Sequence, residues 1–185
     1  MRIKTIGILF FVFIFSGCAT YYKLTNPIVV RELNYVGSGN YSVYLEPVII
    51  SPDNFLSLER TRYIGIEWHS NKPKEATIIV GLSGKAFTTK IKSVSLTLDG
   101  KRSILTDRAS GLSRVHSFDQ NMASTMFTSS YEYIKRIANA ELVEMTIETG
   151  TGHQYIASFR KSKPKSEIHY RLDDFFERVE KTKMK

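Results

Sequence analysis

The chain has 185 residues, of which 42% are hydrophobic, 12% aromatic and 24% charged. That balance excludes a long disordered stretch and is enough to bury one core. A single cysteine excludes an internal disulfide, so the fold must be held by packing, and the formal charge of +8 makes the surface basic.

In chain order the first feature is a pair of positive charges, Arg2 and Lys4, followed by the apolar run Ile6 to Phe15. This is the layout of a secretory signal. A bilayer-crossing helix needs about 20 apolar residues and this run is roughly half as long, so it predicts a transient targeting segment. Next comes Phe15-Ser16-Gly17-Cys18, which resembles the lipobox of bacterial lipoprotein precursors. The resemblance covers only the signal and its cleavage site. It implies a diacylglyceryl group on the Cys18 thiol, cleavage between Gly17 and Cys18, and acylation of the new amino group. Small residues suit a protease that takes the backbone extended, and Ser16 and Gly17 meet that need; Phe15 stands where the family usually has Leu.

The expected organisation is therefore a lipoprotein signal peptide at 1–17, a lipidated N-terminus and short tether at 18–27, and one globular domain at 28–185. Acyl chains on Cys18 supply the membrane attachment, since each buried methylene contributes about 0.8 kcal/mol and two chains suffice for stable anchoring. In the lipoproteins that this start resembles, Asp after the cysteine tends to mark inner-membrane retention. Ala19 stands there instead, which implies an outer-membrane location facing the periplasm where the source has two membranes.

Beyond the tether, three runs alternate with period two. Ile64, Ile66 and Trp68 alternate with Tyr63, Gly65 and Glu67; Val94, Leu96 and Leu98 with Ser93, Ser95 and Thr97; Val143, Met145 and Ile147 with Glu144, Thr146 and Glu148. Each predicts a strand with one buried face. Turns are predicted at Gly37-Ser38-Gly39-Asn40, Asn71-Lys72-Pro73, Asp99-Gly100 and Gly150-Thr151-Gly152. Asp99-Gly100 is the sharpest hairpin signal, because both central positions of a type I′ turn need positive φ.

Two segments follow helical spacing instead. Tyr131, Ile134, Ile137 and Ala138 share one face of a helix ending at Asn139, with Ser129 or Ser130 as N-cap. From Glu167 to Lys181 the set Ile168, Leu172, Phe175, Phe176 and Val179 makes a second, C-terminal amphipathic helix. The predicted class is α+β: an antiparallel β-sheet or β-sandwich with one internal and one C-terminal helix.

The familiar catalytic strings fail on inspection. Val80 to Lys85 (VGLSGK) has too few residues between its glycines for a phosphate loop and reads as a hairpin turn. Ser162-Lys163-Pro164-Lys165 matches S-x-x-K without its companion elements. Gly150-Thr151-Gly152-His153 lacks the third glycine of a dinucleotide fingerprint. The four histidines, His69, His116, His153 and His169, show no metal-ligand spacing and no short acidic pairing, and are expected at the surface or rim. No cofactor or metal is expected. A dispersed triad such as Ser113 or Ser117 with His116 and Asp119 remains open, because triads are defined by geometry and not by spacing. Tyr21, Tyr22, Tyr35, Tyr41 and Tyr44 are read as cover for a sheet, or else as a contact for headgroups or a partner.

The expectation is a membrane-anchored envelope lipoprotein acting as a non-enzymatic binding or assembly module, with another envelope protein as its partner and no nucleic acid. The alternative is a hydrolase or small-ligand receptor whose site is built from dispersed residues. A flat patch or exposed strand edge favours the first, and a deep pocket with convergent polar groups and perturbed titratable groups favours the second.

Overall fold

The computed structural model describes residues 30–34, 40–50, 62–83, 90–108, 122–162 and 165–184. Its strands are β1 (Val30–Asn34), β2 (Tyr41–Ile50), β3 (Arg62–His69), β4 (Glu75–Ser83), β5 (Ile91–Leu98), β6 (Lys101–Leu105), β7 (Met122–Ser130), β8 (Leu142–Thr149) and β9 (Gln154–Arg160). The helices are α1 (Tyr131–Asn139) and α2 (Glu167–Lys183). One sheet has the order β1-β2-β3-β4-β7 and the other β6-β5-β8-β9, with every pairing antiparallel. The α+β class with an internal and a C-terminal helix is what the sequence predicts.

All three alternating runs bury the expected face. Ile64, Ile66 and Trp68 of β3, Val94, Leu96 and Leu98 of β5, and Val143, Met145 and Ile147 of β8 lie in one core with the apolar faces of both helices. The opposite face is less open than simple alternation implies. Gly65 and Glu67 are buried too, because β3 is the middle strand of its sheet.

Asp99 and Gly100 both have positive φ, +47° and +82°, as the predicted hairpin turn between β5 and β6 requires. The Asp99 carboxylate also accepts from the Leu142 amide at 2.8 Å, so the turn pins the start of β8. The Asn71-Lys72-Pro73 turn joins β3 to β4, and Gly152, at φ +82°, turns β8 into β9. Residues 37–39 of the first predicted turn lie outside the described residues, while β1 and β2 pair antiparallel on either side, Asn34 opposite Tyr41.

β2 carries a bulge where Pro47 interrupts the ladder: its register against β3 shifts between Leu45 and Val48. Gly65 lies against that bulge. A Cβ built on Gly65 would come within 3.0 Å of the Leu45 carbonyl oxygen and 3.1 Å of Pro47 Cγ. Glycine is required here by close approach of the neighbouring strand.

Both helices start where a serine precedes them. Ser130 caps α1, its hydroxyl accepting from the Tyr133 amide at 3.1 Å, and Tyr131, Ile134, Ile137 and Ala138 are buried. Along α2, Ile168, Leu172, Phe175 and Val179 are buried with Phe176 packed at their margin, and the helix lies against β2 and β1. It runs to Lys183, one half-turn past the predicted end.

Two expectations need correction. Val80 to Ser83 of the VGLSGK segment lie in β4, which pairs with β3 and β7, and β5 belongs to the other sheet, so β4 and β5 form no hairpin; Gly84 and Lys85 lie outside the described residues. His169 is not at the rim but buried in the first turn of α2, its ring 5.4 Å from that of Phe159.

Candidate functional site

On β2 and β3 the period-two rule that sends Val43, Leu45, Ile66 and Trp68 into the core sends Ser42, Tyr44, Glu67 and His69 to the other face. The register sets Ser42 opposite His69 and Tyr44 opposite Glu67, so four side chains from two strands form one compact square. Within it the Ser42 hydroxyl lies 2.6 Å from His69 Nδ1, and His69 Nε2 lies 2.7 Å from Glu67 Oε1. Tyr44 stands edge-on to the imidazole, centroids 6.3 Å apart, and packs with Ile79 and Met126.

The direction of the chain follows from donor chemistry. A carboxylate oxygen accepts, so Nε2 donates to Glu67; with the ring neutral Nδ1 accepts from the Ser42 hydroxyl, and with the ring protonated it donates to that oxygen. The neutral form has the serine–base–acid order of a nucleophile relay, with the ring nitrogens used in the reverse sense to the usual serine hydrolase arrangement. Ser42 has no solvent exposure, the Glu67 side chain 9% and the His69 side chain 33%, so the imidazole edge is the part of the relay that touches water. The corner is held by Ser70: its hydroxyl accepts from the Tyr41 amide at 2.8 Å, and its own amide donates to the Tyr41 carbonyl at 2.9 Å.

A second serine–histidine pair works differently. Ser166 donates to the Arg160 carbonyl at 3.0 Å, which leaves its oxygen to accept from His169 Nδ1 at 2.8 Å. Burial pushes the His169 pKa down; the Ala140 carbonyl and Asp173 oppose this, and Lys165 and Lys161 add to it. The pair is a latch between the end of β9 and α2, since its serine accepts and cannot be activated by that imidazole.

The other end of α2 is fastened by Tyr131, whose hydroxyl donates to Glu180 at 3.2 Å while Lys183 lies 4.3 Å above the ring. Burial and the Glu180 carboxylate push the Tyr131 hydroxyl pKa well up. On the outer face of the second sheet, Ile104, Ser95, Thr146 and Ile156 form one row across all four strands. Ile104 and Ile156, on the two outermost strands, are 59% and 55% exposed. Lys92, bonded to Glu148 at 2.6 Å, holds that carboxyl below the usual range.

The predicted site residues fall as follows. Gly17 and Cys18, and Ser113, His116, Ser117 and Asp119, lie outside the described residues. His153 is exposed in the β8–β9 turn, where its carbonyl accepts from the Thr149 amide at 2.9 Å. Ser162 is exposed, and Lys165 is ion-paired to Asp173 and lies over the Tyr170 ring, so the S-x-x-K string builds no site. Of the five early tyrosines, Tyr21, Tyr22 and Tyr35 lie outside the described residues, Tyr41 is half-buried and Tyr44 is buried on its sheet. Among the described residues no three potential ligands group to hold a metal. Contrary to the expectation that no histidine has a short acidic pairing, Glu67-x-His69 is one, because the spacing that brings side chains together on a strand is two.

Comparison with family models, curated proteins and solved structures returns no match. Among the described residues no helix is long and apolar enough to cross a membrane.

Proposed function

We propose that the chain is an envelope lipoprotein, cut before Cys18, held on a membrane by acyl chains on that residue, and exposing a binding or assembly module to the periplasm. The observation that carries this reading is the run of Arg2, Lys4, ten residues from Ile6 to Phe15, and Ser16-Gly17 before the one cysteine of the chain. The folded part fits such an anchor. The expected tether, residues 18–27, spans at most roughly 35 Å at full extension, which keeps the domain close to the bilayer surface. Both helices among the described residues put their apolar faces into the core. The second sheet, with outermost strands β6 and β9 and the exposed Ile104 and Ile156, is the face offered to another envelope protein.

Fractionation of cells that express the full chain tests the anchor. The wild type is expected in the membrane fraction after a high-salt wash and Cys18→Ser outside it. Equal partition of the two would overturn the reading.

A further inference from the structure

Burying a carboxylate on a sheet face costs several kcal/mol unless it is well partnered, and chains retain such local violations chiefly where they serve a function. A serine hydroxyl inside a sheet needs only one acceptor. Ser42 has instead an imidazole, and behind the imidazole the carboxylate of Glu67, all on adjacent rigid strands. A purely structural serine has no use for that third member.

We propose that Ser42 is an activated hydroxyl that accepts an acyl group from a small uncharged ester, with His69 as base and Glu67 holding the imidazole. The anchored-module reading does not depend on it. In the forward step Ser42 Oγ bonds to the ester carbonyl carbon and its proton passes to His69 Nδ1. The tetrahedral adduct then collapses, the carbon–oxygen bond to the leaving alcohol breaks, and His69 returns the proton to that alcohol. Water reverses the sequence: it gives a proton to His69 as its oxygen bonds to the acyl carbon, the bond from that carbon to Ser42 Oγ breaks, and His69 returns the proton to Oγ, leaving the acid and free Ser42. Glu67 stabilises the imidazolium throughout and does not change protonation. Its negative charge also disfavours an anionic substrate, which is why the acyl donor is an uncharged ester.

Access to Ser42 comes from the edge of the sheet. Its partner on the side away from His69 is Leu33 of β1, a five-residue strand and the outermost of its sheet among the described residues. Short edge elements open at lower free energy than the whole domain. Reaction at Ser42 is thus slow in the closed chain and rises when β1 leaves, provided that β2 and β3 stay paired.

The test uses the full chain and an alkyl fluorophosphonate, in which the serine oxygen displaces fluoride from phosphorus and the proton leaves through His69. The adduct is located by peptide mass, with urea varied from zero through the unfolding midpoint. The expected result is an adduct on Ser42, faster in sub-denaturing urea and lost once the domain unfolds. Removing a general base typically costs about 10²–10⁴-fold, so His69→Gln should label at least about tenfold more slowly. Glu67→Gln should be slowed less, and Ser93→Ala should label like the wild type. Absence of a Ser42 adduct in the wild type at every urea concentration overturns the proposal, whether or not the variants fold. So does labelling of Ser42 at an equal rate in folded His69→Gln.

Discussion

Glu67 and His69 sit two residues apart on one face of β3, and the carboxylate takes the imidazole Nε2 at 2.7 Å. The distance is a product of strand geometry: successive side chains alternate, so residues i and i+2 stand beside each other. Cross-strand register then adds Ser42 from β2 to the other ring nitrogen. A two-residue slip of β2 against β3 would therefore break the relay while leaving the core faces of both strands apolar.

Gly65 is the residue on which that register leans most directly. Gly65→Ala would gain about 0.4–1 kcal/mol from a stiffer unfolded chain. Against this, the new methyl group meets the Leu45 carbonyl oxygen at 3.0 Å and Pro47 Cγ at 3.1 Å, contacts that the strand must move to relieve. Overpacking of this kind typically costs about 1–3 kcal/mol, so the clash wins and the variant should be less stable. A raised melting temperature for Gly65→Ala would show that the β2 bulge is not held as described.

Phe175 tests the C-terminal helix. It is fully buried in the shared core, with the Phe176 ring 5.5 Å away. Truncation to alanine should cost about 3–5 kcal/mol, a large share of the stability of a domain this size. Denaturant unfolding of Phe175→Ala measures it directly. An unchanged midpoint would mean that α2 is a detachable docking element and not part of the core.

His169 should make stability depend on acid. Its folded pKa lies below the ordinary 6.5 because burial disfavours the charged ring. Above that value both folded and unfolded chains hold it neutral, and its contribution is fully present. As the pH falls below it, the unfolded chain takes up a proton that the folded chain refuses, so stability declines until the depressed folded value is passed. His169→Phe should flatten this part of the profile, measured as the difference in unfolding free energy between wild type and variant from pH 7 downward. Parallel profiles for the two proteins would contradict the assignment.

How much of this was legible in the sequence depends on whether one strand sufficed to show it. β3, β5 and β8 announce themselves because each buries one clean face, and the Asp99-Gly100 turn because only such residues accept both positive φ values. β7 reads Met-Ala-Ser-Thr-Met-Phe-Thr-Ser-Ser and has no apolar alternation; as the outermost strand of its sheet it contributes Phe127 to the core and little else. β2 is disguised by Pro47, which a bulge accommodates. The Glu67–His69 pair could have been found from its spacing. Ser42 could not, since it meets His69 across 27 residues of chain through a register that no local pattern specifies. The burial of His169 was likewise hidden, because Phe159 and Ala140 come from other elements.

The lipid anchor is the central claim, and the mass of the N-terminal peptide of the mature protein tests it most directly. The account predicts a chain that begins at Cys18 and carries a diacylglyceryl thioether, with the Cys18→Ser form neither lipidated nor cut at that bond. An unmodified Cys18 thiol, or a mature chain that begins at another residue, would contradict it.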